Sequence, residues 1–330
     1  MAANTSQPST MRAWTFSSGG TPEKVLSFNP SFPAPAAPKG SDVLIKISHA
    51  SLSSPGSNLM RDIPSLLRKN AIPELDFSGR VVSAGPDVPA EFAPGAAVFG
   101  TVSKSGSIVH NRGTLAEYIV LNVNCIAPKP TSITFAEAAC LSCLGQVALE
   151  MVRQAKIKSG DRVLVNGGSG ARKANLSFAK MQIIDYSLVK SIPAALENSY
   201  SGGQFDAILD TVGSRELFLR CPKYLKPEGV FINVGDGSEG RLSLILHTLQ
   251  NVLQPSILGG VPRRYMTFSA PLNGQNAAYL GNLASKGKLM VFIDSTFSLE
   301  DVINGYKHYK SGQAQGRVVI DIANMDTQDQ

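Results

Sequence analysis

Three glycines in four positions close the run Asp161-Arg162-Val163-Leu164-Val165-Asn166-Gly167-Gly168-Ser169-Gly170. Glycine lets backbone N–H groups approach phosphate oxygens, and a helix starting behind such a turn adds the positive end of its dipole. The apolar Val163-Leu164-Val165 reads as a buried strand of a parallel sheet, so the turn stands where such sheets receive a dinucleotide pyrophosphate. The full fingerprint needs a third glycine where strand and helix pack closely. Counted from Gly168 and Gly170, that position holds Lys173; counted from Gly167, Ser169 takes the second glycine place and Arg172 the third. The motif is half present. Cys140 and Cys143 form a lone C-x-x-C inside an apolar run, which without a second pair or nearby histidines reads as two small buried thiols. His49, His110, His247 and His308 are scattered with no partner spacing and receive no role.

The elements that must position these residues follow from composition and pattern. The chain has 330 residues, 43% hydrophobic and 17% charged, with a formal net charge of +6. That suits about two domains with a core of ordinary size. No Lys/Arg-rich block accompanies the charge, so nucleic acid is not the expected partner, and an anionic small ligand explains it as well. No stretch is long and apolar enough to span a membrane. Residues 1–10 are polar with no signal-peptide core, so they read as a loose tail on a cytosolic protein whose fold begins at Met11.

Residues 11–130 carry short β-branched runs between proline- and glycine-rich turns: Val43–Ile47, Arg80–Val82, Ala97–Phe99 and Ala116–Val120. They predict a compact β-barrel-like domain. After Pro128-Lys129-Pro130 the pattern changes. Phe135–Cys143 and Gln146–Ala155 have helical spacing, followed by the 163–165 strand, a strand at Phe205–Asp210, a helix at Leu217–Leu225 and a strand at Val230–Val234. Strands alternating with helices predict a doubly wound parallel sheet. Its carboxyl edge gathers Gly167–Gly170, Thr211–Gly213 and Val234-Gly235, so Thr211, Gly213, Val234 and Gly235 are candidates for contacts with a bound ligand. Leu242–Leu253 and Leu299–Lys310 read as helices and Val318–Ile320 as a last strand.

The order of these motifs resembles the medium-chain dehydrogenase/reductase superfamily, in its zinc-free quinone oxidoreductase-like branch. The resemblance is carried by Asp42–Ile47, Asp76–Val81, Pro94–Gly100, Gly113–Tyr118, Ala127–Pro130, Val163–Gly170, Phe205–Gly213 and Gly287–Leu289. It implies an α/β chain with a GroES-like β-rich catalytic domain (11–130 and 295–330) and an inserted, shortened doubly wound parallel Rossmann sheet (131–294). It implies NADPH-dependent hydride transfer, with NADH possible, to a quinone or to the C=C bond of an α,β-unsaturated carbonyl, often in tailoring polyketides. A homodimer through the sheet edge near Ser256–Ser269 is also implied. Relatives that use zinc place cysteine and histidine ligands where this chain has Ser51-Leu52-Ser53-Ser54 and Glu74-Leu75-Asp76, so no zinc is expected.

The second departure follows Gly170. Ala171-Arg172-Lys173-Ala174-Asn175 comes at once and Ile183-Ile184-Asp185-Tyr186 soon after, leaving room for one crossover of roughly a dozen residues. About one βα unit is missing. Either Ile183-Ile184 pairs beside 163–165 and brings Asp185 near the adenosine ribose, or the sheet keeps a gap. Arg172 and Lys173 can meet the 2′-phosphate of NADP, or be solvated charges opening a short helix. By the resemblance, Ala50–Met60 lines the substrate pocket, which makes Ser53 and Asn58 candidates to touch an acceptor carbonyl; loop residues bonding their own turn is the alternative. The resemblance also places Phe268 near the nicotinamide, and Val147 where relatives carry a threonine. Two functional readings stay open: a zinc-independent quinone or enone reductase, or a cofactor-impaired, catalytically inactive splice or gene-model variant acting as a scaffold.

Overall fold

A computed structural model of the chain describes residues 8–62, 68–167, 184, 188–235, 249–251, 253–254 and 258–323. The chain divides into two compact units, residues 1–146 with 271–330, and residues 147–270. The divisions expected at 130 and 295 thus stand at 146 and 271. The reason lies in packing: Ala138 and Leu141 share an apolar cluster with Phe99, Ala127 and Ala277, all of the first unit.

The first unit is β-rich. Strands β1 (Thr10–Thr15) and β2 (Ser27–Pro33) form an antiparallel pair. β1 begins one residue before the expected Met11, because Thr10 already pairs with Pro33. The larger sheet runs β12 (Ile293–Ser298), β13 (Arg317–Asp321), β3 (Asp42–Ser51), β4 (Asp76–Ala84), β5 (Ala97–Thr101) and β7 (Ile126–Pro128), with β6 (Tyr118–Asn122) also paired to β3. The run Val43-Leu44-Ile45 is buried throughout, since β3 is flanked by β4 on one edge and by β6 and β13 in turn on the other. The strand expected at Ala116–Val120 begins two residues later; Ala116 itself bridges to Ala13.

Among its described residues the second unit has a four-stranded parallel sheet in the order β11 (Arg264–Thr267), β10 (Leu225–Asn233), β9 (Phe205–Asp210), β8 (Val163–Asn166). Both faces are covered, as parallel sheets require. Ile208 and Phe231 point to a cluster with Leu196, Leu217, Phe218 and Tyr224. Ala207, Leu209, Val230 and Ile232 point to Met151 on the opposite face. The helix Cys143–Ala155 supplies Met151, and the helices Ile192–Tyr200 and Arg215–Arg220 cover the other side.

Two helix expectations are corrected, and of the two outcomes left open for Ile183-Ile184 the structure describes Ile184 alone. The helix expected over Phe135–Cys143 is broken: Phe135–Ala138 is a single turn closed by a Thr134–Glu137 capping box, and a new helix starts at Cys143. The break is tertiary in origin, because the Cys143 amide donates to the buried Asp76 carboxylate at 2.8 Å. The helix expected over Leu217–Leu225 ends at Arg220, where Pro222 follows and Leu225 is drawn into β10 opposite Phe205. Ile184 is in no strand; it packs on the cluster of Leu196, Phe205 and Ile208, and among the described residues β8 pairs with β9 alone. The slot beside β8 is thus not filled by Ile184. Of the expected helix 242–253, residues 249–251 and 253 are helical, and 242–248 lie outside the described residues. Among the described residues no helix is long and apolar enough to cross a membrane.

Candidate functional site

The carboxyl edge of the parallel sheet is organised by one acid. β8, β9 and β10 end level, with Asn166 opposite Asp210 and Asp210 opposite Asn233. Asp210 is fully buried. Its Oδ1 accepts from Asn166 Nδ2 at 2.8 Å and from the amides of Val212 and Gly213 at 2.9 and 3.1 Å. Its Oδ2 accepts from the Ser214 amide at 2.7 Å. Four donors on one carboxylate fold the chain after β9 into a tight nest and satisfy a buried group that would otherwise be costly. Thr211 Oγ1 donates to the Asn166 carbonyl at 2.9 Å, and the Gly235 amide donates to Asn233 Oδ1 at 2.9 Å.

Glycine is needed here for close approach. Gly167 has φ +95°, and a Cβ there would collide with the Thr211 hydroxyl; one on Gly235 would strike the backbone of Val212 and Gly213. The structure therefore brings Thr211, Gly213, Val234 and Gly235 together with Gly167 at the sheet edge. Phe268, Val147 and Val234 pack against the apolar cluster around Met151 and Ile232 on one face of the sheet. Gly168, Ser169, Gly170, Arg172, Lys173, Asp185 and Tyr186 lie outside the described residues. Glycine-ended parallel strands at one carboxyl edge fit a dinucleotide. The amides of Val212, Gly213, Ser214 and Gly235 are already spent on Asp210 and Asn233.

In the β-rich unit a second polar group lies buried. β3 ends at Ser51, and Ser53 caps the helix Ser54–Asp62 by accepting from the Gly56 amide at 3.1 Å. Glu74 Oε2 accepts from both the Ser53 amide, at 3.1 Å, and the Ser53 hydroxyl, at 3.0 Å. Tyr306, on the helix Val302–Lys310, donates its hydroxyl to Glu74 Oε1 at 2.6 Å. Ser53, Glu74 and Tyr306 are all fully buried. Burial pushes the Glu74 carboxyl up to about 8, against the pull of Tyr306, Ser53 and Arg317. Asp76 is raised to about 6, again by burial and against the pull of Arg317, the Cys143 amide and Thr101. Arg317 Nη2 stands 3.7 Å from Asp76 Oδ2 and donates to Ser51 Oγ at 2.7 Å.

Ser53, a candidate for the acceptor carbonyl, is thus buried with its hydroxyl engaged by Glu74 and Gly56, the turn-bonding alternative. Asn58 is half-buried on the helix that Ser53 caps. Glu74, Tyr306 and Arg317 were not legible as a group, being drawn from residues 74, 306 and 317. The one available signal was an acid at position 74 where zinc-using relatives carry a ligand motif.

Zinc favours cysteine thiolates and histidines with one open position. Here the corresponding place holds a serine hydroxyl, a carboxyl with three hydrogen bonds from protein donors, and an aspartate beside an arginine. That donor set does not fit zinc. Among the described residues no group of three or more His, Cys, Asp or Glu is arranged to hold a metal. Cys140 and Cys143 are buried and in no disulfide, and burial pushes the Cys140 thiol up to about 11. His308 pairs with Asp294 at 2.6 Å and His49 with Ser48 at 3.0 Å, while His247 lies outside the described residues.

A β-rich unit is thus split around an inserted parallel sheet whose strands end beside glycines. The chain belongs to the medium-chain dehydrogenase/reductase superfamily. Residues 180–320 match the family model described as Zinc-binding dehydrogenase. The chain is 32% identical to the medium chain reductase pydE of Acremonium sp, over 95% of this chain and 99% of that one. It is 30% identical to the trans-enoyl reductase pgmF of Aspergillus terreus, over 96% and 97%. Among solved structures, the quinone oxidoreductase from Coxiella burnetii superposes with a TM-score of 0.74 at 24% identity, covering 94% of this chain and 99% of that one.

Proposed function

We propose that the chain is an NADPH-dependent, zinc-independent reductase that saturates the C=C bond of an α,β-unsaturated carbonyl, or reduces a quinone, in tailoring a polyketide-type metabolite in the cytosol. The observation that carries this reading is the match along 95% of the chain to a fungal medium chain reductase. Trans-enoyl reductases of Penicillium oxalicum and Aspergillus terreus support it, each matching 96% of the chain. NADPH, when bound, supplies the hydride. The residues that would hold it are Gly167 and the strand ends Thr211, Gly213, Val234 and Gly235, with Phe268 beside the nicotinamide. Gly168, Ser169, Gly170, Arg172 and Lys173 would carry the phosphates. The chain needs no covalent nucleophile: its part is to hold the acceptor close and to offer hydrogen-bond donors to the developing enolate. Asn58 is the donor that this reading places at the acceptor carbonyl. A homodimer through the edge strand β11 completes it.

One observation favours the second reading, a cofactor-impaired scaffold. The alignment with the Acremonium reductase spans 362 positions against the 330 residues here, so the relative carries residues that this chain lacks. The experiment that separates the two is NADPH consumption with a panel of enones and benzoquinones, run beside NADH and repeated with a zinc chelator. Turnover with NADPH, a saturated product and no effect of chelator is expected. Absence of turnover with every acceptor, in material shown to be folded, leaves the scaffold reading standing.

A further inference from the structure

At one point the β-rich unit bears three local costs together. Glu74 has φ +67°, in the left-handed region that non-glycine residues rarely adopt. Its carboxyl is fully buried. And a Cβ on Gly56 would collide with the Glu74 carboxyl, so the helix Ser54–Asp62 can carry only glycine there. What these costs secure is a three-way tie. Glu74 Oε2 holds the amide and hydroxyl of Ser53, which caps the helix bearing Asn58, and Glu74 Oε1 holds the Tyr306 hydroxyl of the helix Val302–Lys310. A carboxyl is the side chain that offers acceptor oxygens in two directions at once.

We propose that Glu74 is a positioning residue for the reduction: by tying Ser53 to Tyr306 it locks the turn at residues 51–58 in the shape that presents Asn58 to the acceptor. The proposal rests on the functional reading above for the role of that turn, and on the cluster alone for the lock. The lock is made by the two oxygens of one carboxyl, Oε2 accepting both Ser53 donors and Oε1 accepting the Tyr306 hydroxyl. The groups facing Glu74 are Tyr306 and Tyr309 of the helix Val302–Lys310, Asp76 of β4, Arg317 of β13 and Ser53. Arg317 is the one cation among them, and Asp76 repels a second negative charge. With burial pushing the Glu74 carboxyl up to about 8, ionisation places a charge in this dry cluster as the solution passes that pH, and the lock loosens.

Three proteins test this: wild type, Glu74→Gln, whose carbonyl keeps the Ser53 donors while its NH2 donates to the Tyr306 oxygen without any charge, and Glu74→Ala, which removes the tie. In wild type, kcat/KM for the acceptor should fall about tenfold for each pH unit above the Glu74 transition, a limb that reports one ionisation in the free enzyme. Glu74→Gln should restore activity lost in Glu74→Ala and lack that alkaline limb. Glu74→Ala should raise KM for the acceptor about tenfold or more at neutral pH, with NADPH affinity unchanged. Amide hydrogen exchange over residues 51–60, read from pH 6 to 9.5 without substrate, should show protection lost at alkaline pH in wild type, kept in Glu74→Gln and absent throughout in Glu74→Ala. An alkaline limb shared by wild type and Glu74→Gln, or equal protection in all three proteins, overturns the proposal. If wild type turns over no acceptor, the functional reading falls, and the exchange measurement alone decides the lock.

Discussion

Asp210 shows how much one side chain can organise. With the carboxylate removed, the amides of Val212, Gly213 and Ser214 and the Asn166 side chain lose their acceptor together. Asp210→Ala should therefore destabilise the parallel-sheet unit by roughly 2–4 kcal/mol, since buried donors left unmet are expensive; denaturant unfolding measures it. Gly56 and Glu74 offer a paired test. Gly56→Ala should cost about 1–3 kcal/mol by overpacking against the carboxyl, and much of that cost should vanish in a Glu74→Ala background. A double-mutant cycle with no coupling contradicts the packing described. The two raised carboxyls also set a pH dependence. Because Glu74 at about 8 and Asp76 at about 6 hold protons more tightly folded than unfolded, their contribution is fully present below the ordinary carboxylate range. It is lost as pH rises through 6 and then 8, and for Glu74 amounts to a few kcal/mol, about 1.4 for each unit of displacement. Thermal midpoints should fall across that window, and Glu74→Gln should flatten the upper part.

At the scale of elements, local pattern was a good guide wherever one strand or helix buries itself by its own sequence. Val43–Ile47, Arg80–Val82, Ala97–Phe99, Phe205–Asp210 and Val318–Ile320 all lie in strands, because β-branched runs between Pro/Gly turns have few alternatives. Pattern failed where a distant residue decided. Nothing between Ala139 and Ser142 is a proline or glycine, yet the helix breaks there because Asp76, more than 60 residues earlier, receives the Cys143 amide. Asp76→Asn keeps an acceptor for that amide but removes the charge beside Arg317. Its unfolding midpoint should thus rise relative to wild type between pH 5 and pH 8, because burial makes the ionised wild-type acid the costlier form. A difference that does not vary with pH would assign the residue a purely steric role. The same limit explains the polar cluster: Ser53, Glu74 and Tyr306 meet through the order of β3, β4 and the closing helix, which no spacing in the sequence reveals.

For the molecule as a whole, the family and both fold types were legible from the order of many weak motifs. The placement of the division at 146 and 271 was not, because it depends on the apolar cluster joining Leu141 to Ala277 and Phe99. The sheet that results has four parallel strands with β8 paired to β9 alone among the described residues, and Val165 of β8 is 54% exposed. On the proposed function, that sheet accepts a dinucleotide at Gly167 and the strand ends beside it. Thermal unfolding with and without NADPH is the most direct measurement, because a ligand held only by the folded chain must raise the midpoint as its concentration grows. A midpoint that climbs with NADPH, and climbs less with NADH, is the predicted result; a midpoint indifferent to both nucleotides at millimolar concentration would contradict it.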